Sequence, residues 1–156
     1  MSENADIITA EEAEETALAV DASFGMLGAI VSDVRDLGFY TTFDTDSMSG
    51  RKRLYKATNA SVLLRDYMET PIEVEHIAFA PTSVTDDDGE AKTVMGVFII
   101  DVDGNSYVSS SSGVIKSAAQ IIEQLGKPDT WDEPVKVVCK ETNTAKGRRY
   151  KFLDVE

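Results

Sequence analysis

The stretch Thr93-Val-Met-Gly-Val-Phe-Ile-Ile-Asp101, continued by Val102-Asp-Gly-Asn-Ser-Tyr-Val-Ser109, has the pattern of two strands joined by a tight turn. A nearly continuous apolar run predicts a buried strand, and Asp103-Gly104 is a strong short-range signal for a two-residue hairpin. We therefore predict one strand over 93–101 and a second over 106–109.

Further elements are predicted on both sides of this hairpin. Pro71 precedes an alternating strand over 72–79, and the polar cluster Asp86-Asp-Asp-Gly89 lies in a loop over 81–92. Downstream, the apolar residues of Gly113–Leu125 recur at helical spacing until Gly126 and Pro128 end the helix. Two more alternating strands follow, Val135–Lys140 and Arg148–Leu153, joined by a hairpin loop over 143–147.

Three strands, one helix and two strands is the element order of an OB barrel, whose surface commonly holds single-stranded nucleic acid. The predicted fold class is mainly β: an OB-fold-like β-barrel of five strands, with one helix between strands 3 and 4 and an N-terminal α-helical acidic segment.

The N-terminal third has a different pattern. Thr9 and Glu12 have the spacing of a capping box, which predicts a helix from about Ala10 to Val20. A second amphipathic pattern runs from Phe24 to Leu37 and stops at Gly38. Residues 38–50 are polar without a period and suit a linker, so we predict an acidic, largely helical segment over 1–50 and an OB-fold domain over 51–156. Residues 54–67 resemble a short helix interrupted at 58–61.

The charge is unevenly distributed along the 156 residues. The net charge of −13 is unfavourable for phosphate binding, which needs Lys and Arg. However, residues 1–50 hold 11 acidic side chains and only Arg35, whereas residues 51–156 hold 14 basic and 17 acidic ones. Basic residues cluster at 51–56 and at 136–151, so a locally positive surface on an acidic protein is expected.

Composition also indicates the cellular compartment in which the protein is expected. The lone Cys139 has no disulfide partner and is expected to be a buried core residue in a reducing compartment. No apolar run approaches the ~20 residues that span a bilayer, and the N-terminus is acidic, unlike a signal peptide. We expect a soluble protein of the cytoplasm, without a membrane partner.

Several segments together resemble the single-stranded DNA-binding proteins of tailed bacteriophages, over about residues 53–153. They are Arg53-Leu-Tyr-Lys-Ala-Thr-Asn-Ala60, Leu64-Arg-Asp-Tyr67, Val97-Phe-Ile-Ile-Asp-Val-Asp-Gly-Asn-Ser-Tyr107, Ser112-Gly-Val114, Leu125-Gly-Lys-Pro128 and Lys146-Gly-Arg-Arg149. The resemblance implies an OB fold and non-catalytic binding of single-stranded DNA during replication or recombination. It implies the host cytoplasm as the location.

Basic and aromatic residues near the C-terminus are the candidate site. In the nucleic-acid interpretation, the basic residues follow a phosphate backbone and the aromatic rings stack on bases. The candidates are Lys136, Lys140, Lys146, Arg148, Arg149, Lys151, Tyr107, Trp131, Tyr150 and Phe152. The alternative is that the basic residues are ordinary solvated lysines and arginines, with Tyr150 and Phe152 facing the core.

Other patterns carry less weight. Asp101, Asp103 and Asn105 suggest a calcium loop, but the twelfth position is Ser112 instead of glutamate, so we reject it. His76 has no second ligand or nucleophile at a recognisable spacing, and capping alone explains the serines at 109–112. No phosphate-binding loop, dinucleotide fingerprint, zinc spacing or nucleophile elbow is present in the sequence. We expect no enzyme activity, no cofactor and no metal.

Two functions follow as hypotheses. In the first, the chain coats exposed single-stranded DNA, with replication or recombination proteins and a second copy of the chain as further partners. In the second, it is an OB-fold interaction module whose acidic N-terminus holds other proteins and which has lost nucleic-acid binding. The acidic segment has three interpretations: a solvated helix pair, a partner-binding arm, or a mimic that competes with DNA for the basic surface.

Overall fold

A computed structural model describes residues 25–156. In this part of the chain there are three α-helices and seven strands. In chain order they are α1 (Gly25–Leu37), β1 (Tyr40–Thr41), α2 (Met48–Asn59), β2 (Val62–Leu63), β3 (Ile72–Thr85), β4 (Ala91–Asp101), β5 (Ser106–Ser109), α3 (Ser112–Leu125), β6 (Lys136–Asn143) and β7 (Arg149–Val155). Two 3-10 turns lie at Leu64–Tyr67 and Pro128–Thr130.

The strands form one mixed sheet that curls into a half-barrel, in the order β2-β5-β4-β3-β6-β7. β3 is the shared strand: it pairs with β4 from Val74 to Thr85, with β6 at Ile72 and Glu73, and with β1 at Ala78 and Phe79. Among the strands of residues 25–156, only β2 and β5 pair in parallel. The sheet ends at β2 and β7, which do not pair with each other in this part of the chain, so the half-barrel is open between these two strands.

The two faces of the sheet pack against different helices. Toward the inside of the curl, Ile77, Phe79, Val97 and Ile99 form the main core with apolar residues of α1 and α3. Toward the outside, Phe98 and neighbouring side chains of β3 and β5 form a second core with Leu54 and Ala57 of α2. Each face of the central strands is thus buried, which explains why 97–100 is continuously apolar.

Helix α3 closes against the free edge of β7. At Gly113, in its first turn, a Cβ would overlap the carbonyl oxygen of Lys151 and lie 2.8 Å from Cε1 of Tyr150. Only glycine allows the helix backbone this close to the strand. The first turn of α3 thereby covers part of the unpaired edge of β7.

The predicted elements over 72–153 are all present, with longer strands. β3 continues to Thr85 and β4 begins at Ala91, so most of the segment predicted as a loop over 81–92 is a two-stranded ribbon. Residues 82–85 are polar except for Val84, and none of them is buried, so the sequence shows no apolar face here that would predict a strand. The turn at Asp86–Gly89 lies at its tip.

The predicted linker over 38–50 is partly wrong. It contains β1, and α2 begins at Met48, where the hydroxyl of Ser47 accepts a hydrogen bond from the backbone N–H of Gly50. Ser49 and Gly50 are weak helix formers, which concealed this start. The predicted interruption near 58–61 corresponds to the end of α2 at Asn59.

The described part of the N-terminal segment packs on the sheet. The amphipathic pattern is confirmed over Gly25–Leu37 as helix α1, and its Leu27 and Ile30 belong to the main core. The helix predicted over 10–20 lies outside the described residues. The division of the chain at residue 50 stays a prediction drawn from composition.

Candidate nucleic-acid interface

The β6–β7 hairpin presents two different faces. Its register places Cys139 opposite Leu153 and Lys140 opposite Phe152. Val137, Cys139 and Leu153 are buried in the main core. Because side chains alternate along a strand, Lys140 and Phe152 lie on the other face, outside the curl.

Tyr150 and Phe152 form an aromatic pair on this outer face. Their ring centroids are 6.2 Å apart with an angle of 20° between the planes, which is an offset stack. Both side chains are half-buried and neither is part of a core cluster. The two rings therefore do not face the core, contrary to the alternative interpretation of the sequence. Tyr150 also packs against the first turn of α3 at Gly113, which restrains its ring.

Three cations surround the tip of the hairpin. Lys146, Arg148 and Arg149 are exposed and form no ion pair with another residue in 25–156. Arg148 directly precedes β7 and, by the alternation, lies on the side of Tyr150, whereas Arg149 lies on the opposite side. Cations without a protein partner are available to phosphate oxygens.

The remaining basic candidates are less available to phosphate oxygens. The Lys140 ammonium donates a hydrogen bond to Asp154 Oδ2 at 2.8 Å, which raises the pKa of Lys140 and lowers the pKa of Asp154. Lys151 is half-buried and lies opposite Glu141 in the register. Lys136 is exposed at the start of β6, opposite Glu73 of β3. Each therefore has a carboxylate nearby.

Trp131 lies apart from the hairpin. Its indole N–H donates hydrogen bonds to the carbonyl oxygens of Leu125 and Gly126, both at 3.0 Å, and so satisfies the end of α3. Trp131 borders an open cavity of about 460 Å³, and five of the lining residues are acidic: Glu73, Glu75, Asp129, Asp132 and Glu133. This surface repels phosphates, and the hydrogen bonds account for the position of Trp131 without a ligand.

Tyr107 also has protein partners. Its hydroxyl donates to Asp101 Oδ2 at 3.1 Å, and its ring meets Tyr67 edge-on at 5.1 Å. Burial first, and then this hydrogen bond, raise the pKa of Tyr107 to about 12. Asp101 also accepts the N–H groups of Asp103 and Asn105, so its carboxylate organises the β4–β5 turn. That geometry explains the acidic pattern at 101–105 without calcium.

A family model described as Phage Single-stranded DNA-binding protein matches residues 35–156. The chain belongs to this family of phage single-stranded DNA-binding proteins. No curated protein and no solved structure matches the chain significantly. The resemblance seen in the sequence is confirmed, and the match begins earlier than the predicted residue 53, so that it also includes β1 and the whole of α2.

In this phage single-stranded DNA-binding protein, sequence reasoning missed two exposed tyrosines. Tyr55 on α2 is 70% exposed and Tyr67, beside Tyr107, is 38% exposed. Both lie in segments that carry the family resemblance. A signal for Tyr55 was present, because the ring stands between Lys52 and Lys56 in a helix with no acidic residue.

His76 has a structural environment. Its Nδ1 lies 3.0 Å from Thr42 Oγ1, and its ring stacks on Phe43 with centroids 4.1 Å apart. The Arg53 guanidinium also lies over the Phe43 ring, 5.1 Å from its centroid, and forms an ion pair with Glu75. Burial, and then the charge of Arg53, lower the pKa of His76. These contacts fasten α2 to β3.

Residues 25–156 hold neither a metal-ligand cluster nor a helix that could span a membrane. No group of three or more His, Cys, Asp or Glu side chains there is arranged to hold a metal ion. None of the helices within that range has the length and apolar character needed to cross a membrane.

Proposed function

We propose that this family member is a non-catalytic protein that coats and protects exposed single-stranded DNA during phage DNA replication or recombination, in the host cytoplasm. The observation that carries the proposal is the outer face of the β6–β7 hairpin. There, the rings of Tyr150 and Phe152 stack on each other, and Arg148, two residues before Tyr150, is a cation without an ion-pair partner among the described residues. The finer fold assignment, an OB barrel left open between β2 and β7, belongs to the same proposal.

The mechanism has two parts. Lys146, Arg148 and Arg149 neutralise phosphates and release their counterions, which gives affinity for any sequence. The half-exposed rings of Tyr150 and Phe152 stack on bases, and such stacking is worth about 1–3 kcal/mol per base. Both contributions tolerate any base, as coating a genome strand requires. Neither needs a nucleophile, a proton donor or a metal.

We assign the sequence candidates unequal contributions in this proposal, according to the groups around them. Lys140, Lys151 and Lys136 lie beside carboxylates, and Trp131 lies at an acidic cavity, so we assign them smaller contributions than the hairpin tip. Tyr107 is half-buried, with its hydroxyl bonded to Asp101, so only its neighbour Tyr67 offers much free ring surface there.

The test is the double variant Arg148→Ala/Arg149→Ala with a labelled thirty-base oligo-dT. For single strands, log K falls with log salt by about 0.7 for each phosphate neutralised, so the slope should become shallower by about 1.4. The matched control is Arg65→Ala/Lys92→Ala, which removes the same charge from exposed positions elsewhere. Equal slopes for both double variants would contradict the assignment of the hairpin.

A second candidate function is a protein-interaction module without nucleic-acid binding. The acidic cavity beside Trp131, together with the net charge of −13, favours it, because both repel DNA and attract basic surfaces. This function predicts no binding of oligo-dT at low or moderate salt. Salt-sensitive binding that the hairpin variant weakens would exclude it as the sole function.

A further inference from the structure

Helix α2 carries a basic, partly aromatic face that the hairpin site does not use. Over Met48–Asn59 the helix contains Arg51, Lys52, Arg53 and Lys56 and no acidic residue, in a chain of net charge −13. Met48, Lys52, Tyr55, Lys56 and Asn59 recur at helical spacing and are all exposed. Tyr55 is 70% exposed, so most of its ring is free to contact a ligand.

This face is held rigidly. Leu54 and Ala57 of α2 are buried in the outer core. The Ser106 hydroxyl donates to the Ala57 carbonyl oxygen at 2.8 Å in a buried contact. Arg53 is engaged by Glu75 and Phe43, so it belongs to the support of the helix. Arg51, Lys52 and Lys56 form no ion pair with another residue of the described range, which leaves their charges uncompensated.

The α2 face lies on the same side of the sheet as the aromatic pair. The main core is continuous from β4 through β3 into β6, because Ile72 and Val137 pair and are both part of it. α2 packs on the opposite face of β3 and β4, and Tyr150 and Phe152 lie on the opposite face of β7. Both surfaces therefore face outward from the curl.

We propose that the exposed face of α2, formed by Arg51, Lys52, Tyr55 and Lys56, is a second contact surface for single-stranded nucleic acid. The lysines and Arg51 bind phosphates, and the Tyr55 ring stacks on a base. The inference rests on the proposed function and extends it from one surface to two. A single strand fits better than a duplex because a free ring requires an unstacked base.

A membrane surface fits this face less well. A helix that lies in a membrane interface inserts a broad apolar face. Here the apolar residues Leu54 and Ala57 are buried in the protein's own core, and only Met48 and Tyr55 remain as large apolar groups outside. The three cations and one aromatic ring of this face are better suited to a polyanion whose bases are exposed, because the cations can bind phosphates and the ring can stack on a base.

The first test uses Lys52→Gln/Lys56→Gln in the full chain, with the labelled thirty-base oligo-dT titrated at several salt concentrations. Loss of two phosphate contacts should make the slope of log K against log salt shallower by about 1.4. The control Arg65→Gln/Lys92→Gln should leave the slope unchanged. Wild-type binding with an unaltered slope in the α2 variant would overturn the inference while leaving the hairpin proposal intact. Absence of wild-type binding would instead refute the proposed function itself.

The second test isolates the ring. Tyr55→Ala should weaken oligo-dT binding roughly five- to 150-fold, the range that about 1–3 kcal/mol of stacking corresponds to, whereas Tyr55→Phe should keep wild-type affinity. The exposure of this side chain makes both variants compatible with folding, which circular dichroism would verify. Equal affinities for the two variants would overturn the stacking assignment. Binding of phosphatidylserine vesicles that falls in Lys52→Gln/Lys56→Gln, with oligo-dT binding unaffected, would assign the face to membranes instead.

Discussion

At the scale of single residues, the ring of Tyr150 decides whether the hairpin binds bases or only phosphates. Replacing it with alanine removes the stacking surface, so affinity for oligo-dT should fall by about 1–3 kcal/mol while the salt slope remains near that of the wild type. Tyr150→Phe keeps the aromatic face and should bind almost as the wild type does. Fluorescence anisotropy measures both variants.

Tyr150 also packs on Gly113, so each variant needs a check of its fold by thermal unfolding. A folded Tyr150→Ala protein with wild-type affinity would show that this ring serves the packing of α3 and not DNA. A change in salt slope without a change in affinity at the reference salt would also contradict the stacking role.

Gly113 sets the distance between α3 and β7. In an exposed helix, Gly→Ala is stabilising by up to about 1 kcal/mol, but here the added Cβ meets the Lys151 carbonyl oxygen and the Tyr150 ring. We expect the clash to dominate, so that Gly113→Ala lowers the free energy of unfolding by about 1–3 kcal/mol in urea denaturation. Gln120→Ala, at an exposed position of the same helix, is the control and should change stability by less than about 0.5 kcal/mol.

The sequence alone could not show on which face of strand β7 the side chains of Tyr150 and Phe152 lie. Alternation separates Arg148, Tyr150 and Phe152 from Arg149, Lys151 and Leu153, but both sets mix apolar and basic residues. Burial of Leu153 opposite Cys139 settles the question, and that pairing depends on the β6–β7 register. Tyr55 was missed for a related reason, because exposure on α2 follows from which side of the helix packs on the sheet.

At the scale of elements, the outer face of the β6–β7 hairpin contains an ion pair that limits its positive charge. Asp154→Asn removes the partner of Lys140 and should raise affinity for oligo-dT and make the salt slope steeper by up to about 0.7, as one cation becomes available to phosphate. Asp66→Asn removes the same charge from an exposed site outside the hairpin. Titrations of both variants at several salt concentrations measure the difference.

If Asp154→Asn behaves as Asp66→Asn does, Lys140 does not contact DNA.

The Lys140–Asp154 pair also makes stability depend on pH. The pKa of Asp154 is lowered in the folded state, so its contribution to stability is present above the ordinary pKa of an aspartate and is lost as the pH falls through the folded value. Solvent around both groups screens that contribution, so binding is the more sensitive measurement.

Elements with an apolar period were predicted well, and polar ones were not. The strands at 93–101 and 106–109 and the helix at 113–125 were correct within two residues because each buries a face. Residues 81–85 of β3 bury little and are held by backbone pairing with β4, which leaves no apolar period to detect. The start of α2 depends on the Ser47 cap and on the packing of Leu54 and Ala57 against the sheet. The low helix propensity of Ser49 and Gly50 hides this start from a prediction that considers propensity alone.

At the scale of the whole molecule, the acidic charge should oppose DNA binding. Residues 1–24 contain seven acidic side chains and no basic one, so deleting them changes the formal net charge from −13 to −6. Affinity for oligo-dT should rise, and more at 10 mM salt, where the screening length is about 30 Å, than at 100 mM, where it is about 10 Å. Removing residues 25–50 as well would confound the result, because Leu27 and Ile30 belong to the main core.

Equal affinity of the truncated and full-length chains at both salt concentrations would contradict competition by this segment. It would favour the interpretation of residues 1–24 as a solvated or partner-binding segment. Analytical ultracentrifugation of the same two proteins would test whether the segment also affects homo-oligomer formation.

The overall architecture was only partly predictable. The order of five strands and one helix was present in the hydrophobic pattern, and the resemblance to the phage family agreed with it. The opening between β2 and β7, and the two surfaces that face outward, depend on how far the sheet curls and on the contact at Gly113. Those are long-range properties that no local pattern specifies.

The most direct test of the account is the anisotropy of a labelled thirty-base oligo-dT, titrated with the wild-type protein at low and moderate salt beside a duplex of equal length. The account predicts micromolar or tighter binding to the single strand, a marked loss of affinity at the higher salt, and weaker binding to the duplex. Failure to bind the single strand at either salt concentration, or equal affinity for strand and duplex, would contradict it.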